Sequence, residues 1–154
     1  MNIYTHFFVP FVISFVLSKF GIFSLPEAFI CGFVGVMIDI DHYLVYFFNA
    51  KKDRFSLKKA WNNSMKHKHF LQRSFLHFTR GLFIVTLILI GVLMISWKWA
   101  LLLSIAFYSH YLLDRLIFTN SKAIRWKLFG FYMKDTYFEI ILDLVLLGVL
   151  VSFL

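Results

Sequence analysis

The stretch LPEAFICGFVGVMIDIDHYLVYFF, Leu25 to Phe48, decides how this chain is read. It is apolar over a length that crosses a bilayer, since about 20 helical residues span the hydrocarbon core. Yet toward its end it carries Asp39, Asp41 and His42. Four other runs share its character: about Ile3 to Phe23, Phe75 to Trp97, Trp99 to Phe118 and Tyr137 to Leu154. Their residues are apolar consecutively, without the alternation of a membrane barrel. Backbone groups in hydrocarbon need partners within their own segment, so each run is expected to be a helix. The expected fold class is all-α: a polytopic transmembrane helical bundle of about five spans, forming one domain over residues 1–154.

Composition agrees. The chain is 60% hydrophobic and 16% charged, against roughly 45–50% and about 25% in an ordinary soluble domain. The first run lacks a basic leader, and Ser18-Lys19-Phe20 is no small-residue cleavage site, so it reads as a retained span. Cys31 is the single cysteine and leaves no intramolecular disulfide.

The formal charge of +8 is unevenly placed. Eight of the sixteen basic residues fall between Lys51 and Arg73, in a loop at about 49–73, and four more between Lys122 and Lys134. The positive-inside rule puts both loops in the cytoplasm, with the N-terminus inside and the C-terminus outside. The expected location is the plasma (inner) membrane. Membrane lipids are the expected partners, each basic residue near an anionic surface contributing about 1 kcal/mol. The stretch from Phe55 to Phe70 mixes aromatic residues with lysines, as a surface-lying segment does. No nucleic-acid-binding module accompanies the charge, which argues against that partner.

Ionisable residues within apolar runs are costly, by about 2.5–3.5 kcal/mol each, and mark function. His6 lies near the start of the first run, and Asp39, Asp41 and His42 lie near the end of the second. His77 follows the start of the third, and His110 and Asp114 precede the end of the fourth. Because successive helices alternate in direction, all seven come to one level. Asp39 and His42 are three apart and His110 and Asp114 four apart, so each pair shares a helix face. Carboxylates and imidazoles brought together within a bundle suit one or two divalent transition metals, zinc before manganese or iron. The expected metal ligands are His6, Asp39, His42, His77, His110 and Asp114. Asp41 falls about 200° around the helix from Asp39, as a further ligand, a partner of one, a helix-end residue or part of a local distortion. Glu139 and Asp143 share a face of the last run and either pair with Arg80 or Arg115 or join the cluster. His67 and His69, in the basic loop, read as solvated.

These residues resemble the family of membrane-bound metal-dependent hydrolases, also described as LexA-binding inner-membrane-associated hydrolases. The family pattern is an early histidine, then P-D-x-D-H, H-R-G-x-T-H-S and a late S-H-x-x-x-D. Here the elements are His6; Ile38-Asp39-Ile40-Asp41-His42, without the proline; Gln72-Arg73-Ser74-Phe75-Leu76-His77-Phe78, which keeps the arginine and second histidine; and Ser109-His110-Tyr111-Leu112-Leu113-Asp114 in full. The likeness covers roughly residues 1 to 118. It implies metal-assisted hydrolysis, in which the metal makes water nucleophilic near neutral pH. Asp41 would then accept a proton, and Arg73, one turn before His77, would bind an anionic oxygen. A site at headgroup depth points to a phosphoester or phospholipid-like, amphiphilic substrate at the cytoplasmic leaflet. The competing readings are a non-catalytic metal-binding scaffold and a metal-ion or proton transporter. The outer halves of the runs are apolar, which speaks against a conduit.

Overall fold

The computed structural model describes residues 3–50, 52–66, 78–119, 123–128 and 131–153. In order they form α1 (Ile3–Lys19), α2 (Leu25–Met37), α3 (Ile40–Asn49), α4 (Leu57–Lys66), α5 (Thr79–Ile95), α6 (Trp97–Thr119), β1 (Ala123–Leu128), β2 (Phe131–Thr136) and α7 (Tyr137–Ser152). Helices carry the fold.

Local chemistry sets the first turn. Gly21 adopts φ +74, its N–H donates to Ser18, and the N–H of Ile22 reaches back to Leu17. This is a Schellman stop, and glycine takes the left-handed position without Cβ strain. Ser24 then opens α2 with a capping box, its side chain accepting from the Glu27 N–H while Glu27 accepts from the Ser24 N–H. The two helices leave this turn antiparallel and pack along their length. α1 is the hub, packed against α2, α6 and α7, while α5 lies against α6. Phe11, Val12 and Phe15 of α1 bury with Ala28 beneath Leu146, Val149 and Leu150 of α7. A second cluster joins Phe23, Cys31, Leu102 and Ala106.

Two expectations need correction, and a third finding bears on the spans. The run from Leu25 to Phe48 is two helices, broken at Ile38–Asp39, where the Asp39 N–H bonds Val36 in a tight i→i−3 turn. Beyond the break α3 leaves the bundle and packs chiefly on α4. Second, the loop expected between the last two runs contains an antiparallel hairpin, β1 with β2, in the register Ala123↔Thr136 through Leu128↔Phe131. Third, among the described residues no helix is long and apolar enough to cross a membrane. Length is one reason: α1 and α5 have 17 residues and α7 has 16, about 25 Å of rise against a hydrocarbon core near 30 Å. Charge is the other: α6 has 23 residues but includes Lys98, Asp114 and Arg115.

Besides the apolar core, polar side chains are buried and large apolar ones exposed. Thr5, His6, Ser14, His110 and Glu139 are buried, while Phe33, Ile88, Leu93, Met94, Ile95, Leu144 and Val151 are exposed.

Candidate metal centre

Four elements converge where α1 begins. His6 sits one turn into α1 and is 1% exposed. Gly35 of α2 lies directly against it: a Cβ at this position would come within 2.5 Å of the His6 carbonyl oxygen and 2.7 Å of Pro10 Cγ. Only a residue without a side chain lets the two backbones approach this closely. The adjacent break turns the chain so that Asp39, at the N-cap position of α3, faces His6. From α6 come His110, also 1% exposed, and Asp114 on the same face one turn later.

The break has a chemical consequence. In a continuous helix the Gly35 carbonyl would accept the Asp39 N–H, but that N–H is directed to Val36. The Gly35 oxygen instead lies 2.8 Å from His110 Nδ1. A carbonyl only accepts, so Nδ1 carries the proton and donates, and the Nε2 of neutral His110 presents its lone pair to the cluster. Metal-binding histidines are oriented in this way, by a hydrogen bond from the ring nitrogen that does not ligate.

Both Nε2 atoms face the two carboxylates. His6 Nε2 is 3.4 Å from Asp114 Oδ1 and 3.8 Å from Asp39 Oδ2. His110 Nε2 is 3.5 Å from Asp39 Oδ1 and 3.8 Å from Asp114 Oδ2. The rings stack with centroids 3.9 Å apart and an interplanar angle of 20°. These separations exceed the N–H···O range of about 2.7–3.2 Å. They approach the edge of a tetrahedral shell, about 3.3–3.4 Å for zinc bonds of roughly 2.0–2.1 Å. His6, Asp39 and His110 offer ligand atoms that all lie within 4.8 Å of one another. A buried His–Asp–His group of this kind can hold a metal ion, and Asp114 touches both of its imidazoles. His6 Nδ1 is buried without a hydrogen-bond partner among the described residues, so the polar contacts of that ring run through Nε2. The centre is sealed on one side only: the histidines are buried, whereas Asp39 and Asp114 are 27% and 21% exposed.

Of the residues singled out in the sequence, the structure therefore brings together His6, Asp39, His110 and Asp114. Asp41 and His42 lie in the first turn of α3, of which only the backbone is described there. Arg73 and His77, like His67 and His69, fall outside the described residues. Glu139 forms a buried capping box with Thr136 at the start of α7. Asp143 accepts a 2.9 Å hydrogen bond from Thr5, the neighbour of His6, and so ties α7 to the helix that carries the site. Arg115 stacks over the Tyr111 ring at 5.3 Å. Gly35 and Thr5 were not legible as site-building residues, since one acts through its carbonyl and its missing Cβ, the other through a contact 138 residues away. No protein-family model, curated protein or solved structure matches the chain.

Proposed function

We propose that this chain is an integral membrane, metal-dependent hydrolase acting on a phosphoester or phospholipid-like substrate at the cytoplasmic leaflet. One observation carries the reading: two sealed imidazoles present Nε2 to two carboxylates that reach the surface. The set is two nitrogens and two carboxylates without a thiolate, which suits zinc, with manganese or iron as alternatives. His6, Asp39, His110 and Asp114 would hold a divalent ion, which would supply Lewis-acid chemistry there, polarising a substrate oxygen and acidifying water.

The chain's own residues do the rest. The Gly35 carbonyl holds His110 in its Nδ1–H form, the burial of both rings keeps water from their inner side, and the carboxylate side admits substrate. A carboxylate not engaged by the ion accepts the proton of the attacking water. Asp41, two residues beyond Asp39, is the carboxylate assigned to that step. Arg73 is assigned to an anionic oxygen of the substrate, on the family resemblance alone.

Membrane residence is supported by the many large apolar side chains exposed on α2, α5 and α7. Exposed apolar surface marks a lipid- or protein-facing side, and His6, His110 and Glu139 are buried where lipid would exclude them. α1, α5 and α7, at 17, 17 and 16 residues, are three to four residues shorter than a span of about 20 and fit a bilayer that thins locally around them.

Elemental mass spectrometry of detergent-purified wild type and His110→Ala tests the centre. About one equivalent of a transition metal, lost in the variant, is the expected result for a four-donor site. Wild type that stays metal-free after incubation with zinc, manganese and iron would overturn the proposal. Metal-loaded protein inert toward phospholipids and lipid phosphates would leave only a metal-fastened scaffold.

A further inference from the structure

The break at Ile38–Asp39 sends α3 out of the bundle, and an ordered elbow then folds α4 back beside it. Arg54 Nε donates to the Ala50 carbonyl at 2.7 Å and caps the end of α3. Asp53 takes up φ 57 and pairs with Lys59, and the Ser56 side chain accepts from the Lys59 N–H at the start of α4. The elbow stacks aromatic residues at its tip. Phe47 meets both Phe48 and Phe55 edge-on, each with centroids 5.2 Å apart. The ridge nonetheless protrudes: Phe55 is 80% exposed, Phe48 73% and Leu57 67%.

Cations ring the ridge. Lys52, Arg54, Lys58 and Lys59 are all exposed, and Asp53, the one acidic residue of the elbow, already pairs with Lys59.

We propose that the α3–α4 elbow is an anionic-lipid anchor. The ridge of Phe48, Phe55 and Leu57 enters the headgroup–acyl boundary, and the surrounding lysines and arginine engage lipid phosphates. Protruding aromatic residues collared by cations are how segments lie in the plane of an anionic interface. An anionic leaflet complements the exposed cations beside the ridge and takes up its aromatic side chains at the same time. Asp39 stands one α3 length, about 15 Å, from this anchor, so fixing the anchor in the interface limits how far Asp39 can lie from the headgroups. The anchor rests on the membrane reading above and adds to it the orientation of the metal centre.

Site-directed spin labelling in vesicles tests both separately. In a Cys31→Ser background, where the hydroxyl replaces the thiol that contacts the Leu102 carbonyl, one label goes at Phe55→Cys and another at Ile88→Cys on exposed α5. Accessibility to oxygen and to a water-soluble nickel chelate is read in phosphatidylglycerol–phosphatidylcholine vesicles and in phosphatidylcholine alone. The Phe55 label is expected about 5–10 Å within the interface of anionic vesicles and open to the chelate in neutral ones. Lys52→Glu with Lys58→Glu, which leaves the Asp53–Lys59 pair in place, should return it to water in both. A Phe55 label open to the chelate in anionic vesicles, or indifferent to lipid charge and to the double reversal, overturns the anchor. If the Ile88 label is also open to the chelate, it is the membrane reading that fails.

Discussion

Replacing Gly35 with alanine tests the packing on which the centre depends. The new Cβ would stand 2.5 Å from the His6 carbonyl oxygen and 2.7 Å from Pro10 Cγ, where real contacts do not fall below 3.0 Å. One obstacle is backbone and the other a proline ring, so neither can rotate away. α2 must retreat by at least about 0.5 Å, at the cost of about 1–3 kcal/mol typical of overpacking. The same movement stretches the 2.8 Å contact between Gly35 O and His110 Nδ1 to about 3.3 Å, past the useful range. Loss of such an outer partner weakens metal binding by about 10–100-fold. Chelator competition for zinc on detergent-purified protein measures the affinity, and a thermal melt of the same sample measures stability. Gly91→Ala and Gly148→Ala are the controls, because a Cβ at either meets nothing within 4 Å. They should leave zinc affinity alone and gain up to about 1 kcal/mol from helix propensity. A Gly35→Ala protein that binds zinc as tightly as wild type, with an unchanged Tm, would refute both the close approach and the orienting role of the carbonyl.

Other consequences follow from particular contacts. His6→Ala and Asp39→Ala each remove a donor from the compact triad, so bound metal should fall to background by elemental analysis while far-UV circular dichroism stays helical. Stripping the metal with a chelator should lower Tm, since a ligand present at 100 times its Kd stabilises the folded state by about 2.7 kcal/mol; an unchanged melt would mean that no ion binds the fold. Thr5→Val deletes the bond to Asp143 and should cost about 1–3 kcal/mol with zinc affinity retained, as Thr5 supplies no ligand. Ser24→Ala removes the α2 capping box and should lower stability by about 1 kcal/mol, again read by Tm.

The sequence by itself determined the helical class, because apolar runs of helical length act within one segment; the glycine stop after Lys19 and the capping box at Ser24 are just as local, yet the runs read as about Ile3 to Phe23 and Leu25 to Phe48 did not mark them. It also marked His6, Asp39, Asp41, His42, His77, His110 and Asp114 as one group, since polar residues recurring at matching positions of alternating helices share a level, and four of these seven are found together among the described side chains. Only the tertiary structure decided where α2 ends. No proline or charge run announces that break, and the Gly35 carbonyl found there contacts an imidazole 75 residues away. The hairpin between α6 and α7 was hidden for a related reason, as strand pairing depends on a partner rather than on period within one segment. The departure of α3, the exposed Phe55 ridge and the role of a missing Cβ at Gly35 belong with them. Each is a relation between segments rather than a property of one, and such relations are fixed by packing and hydrogen bonding across the fold.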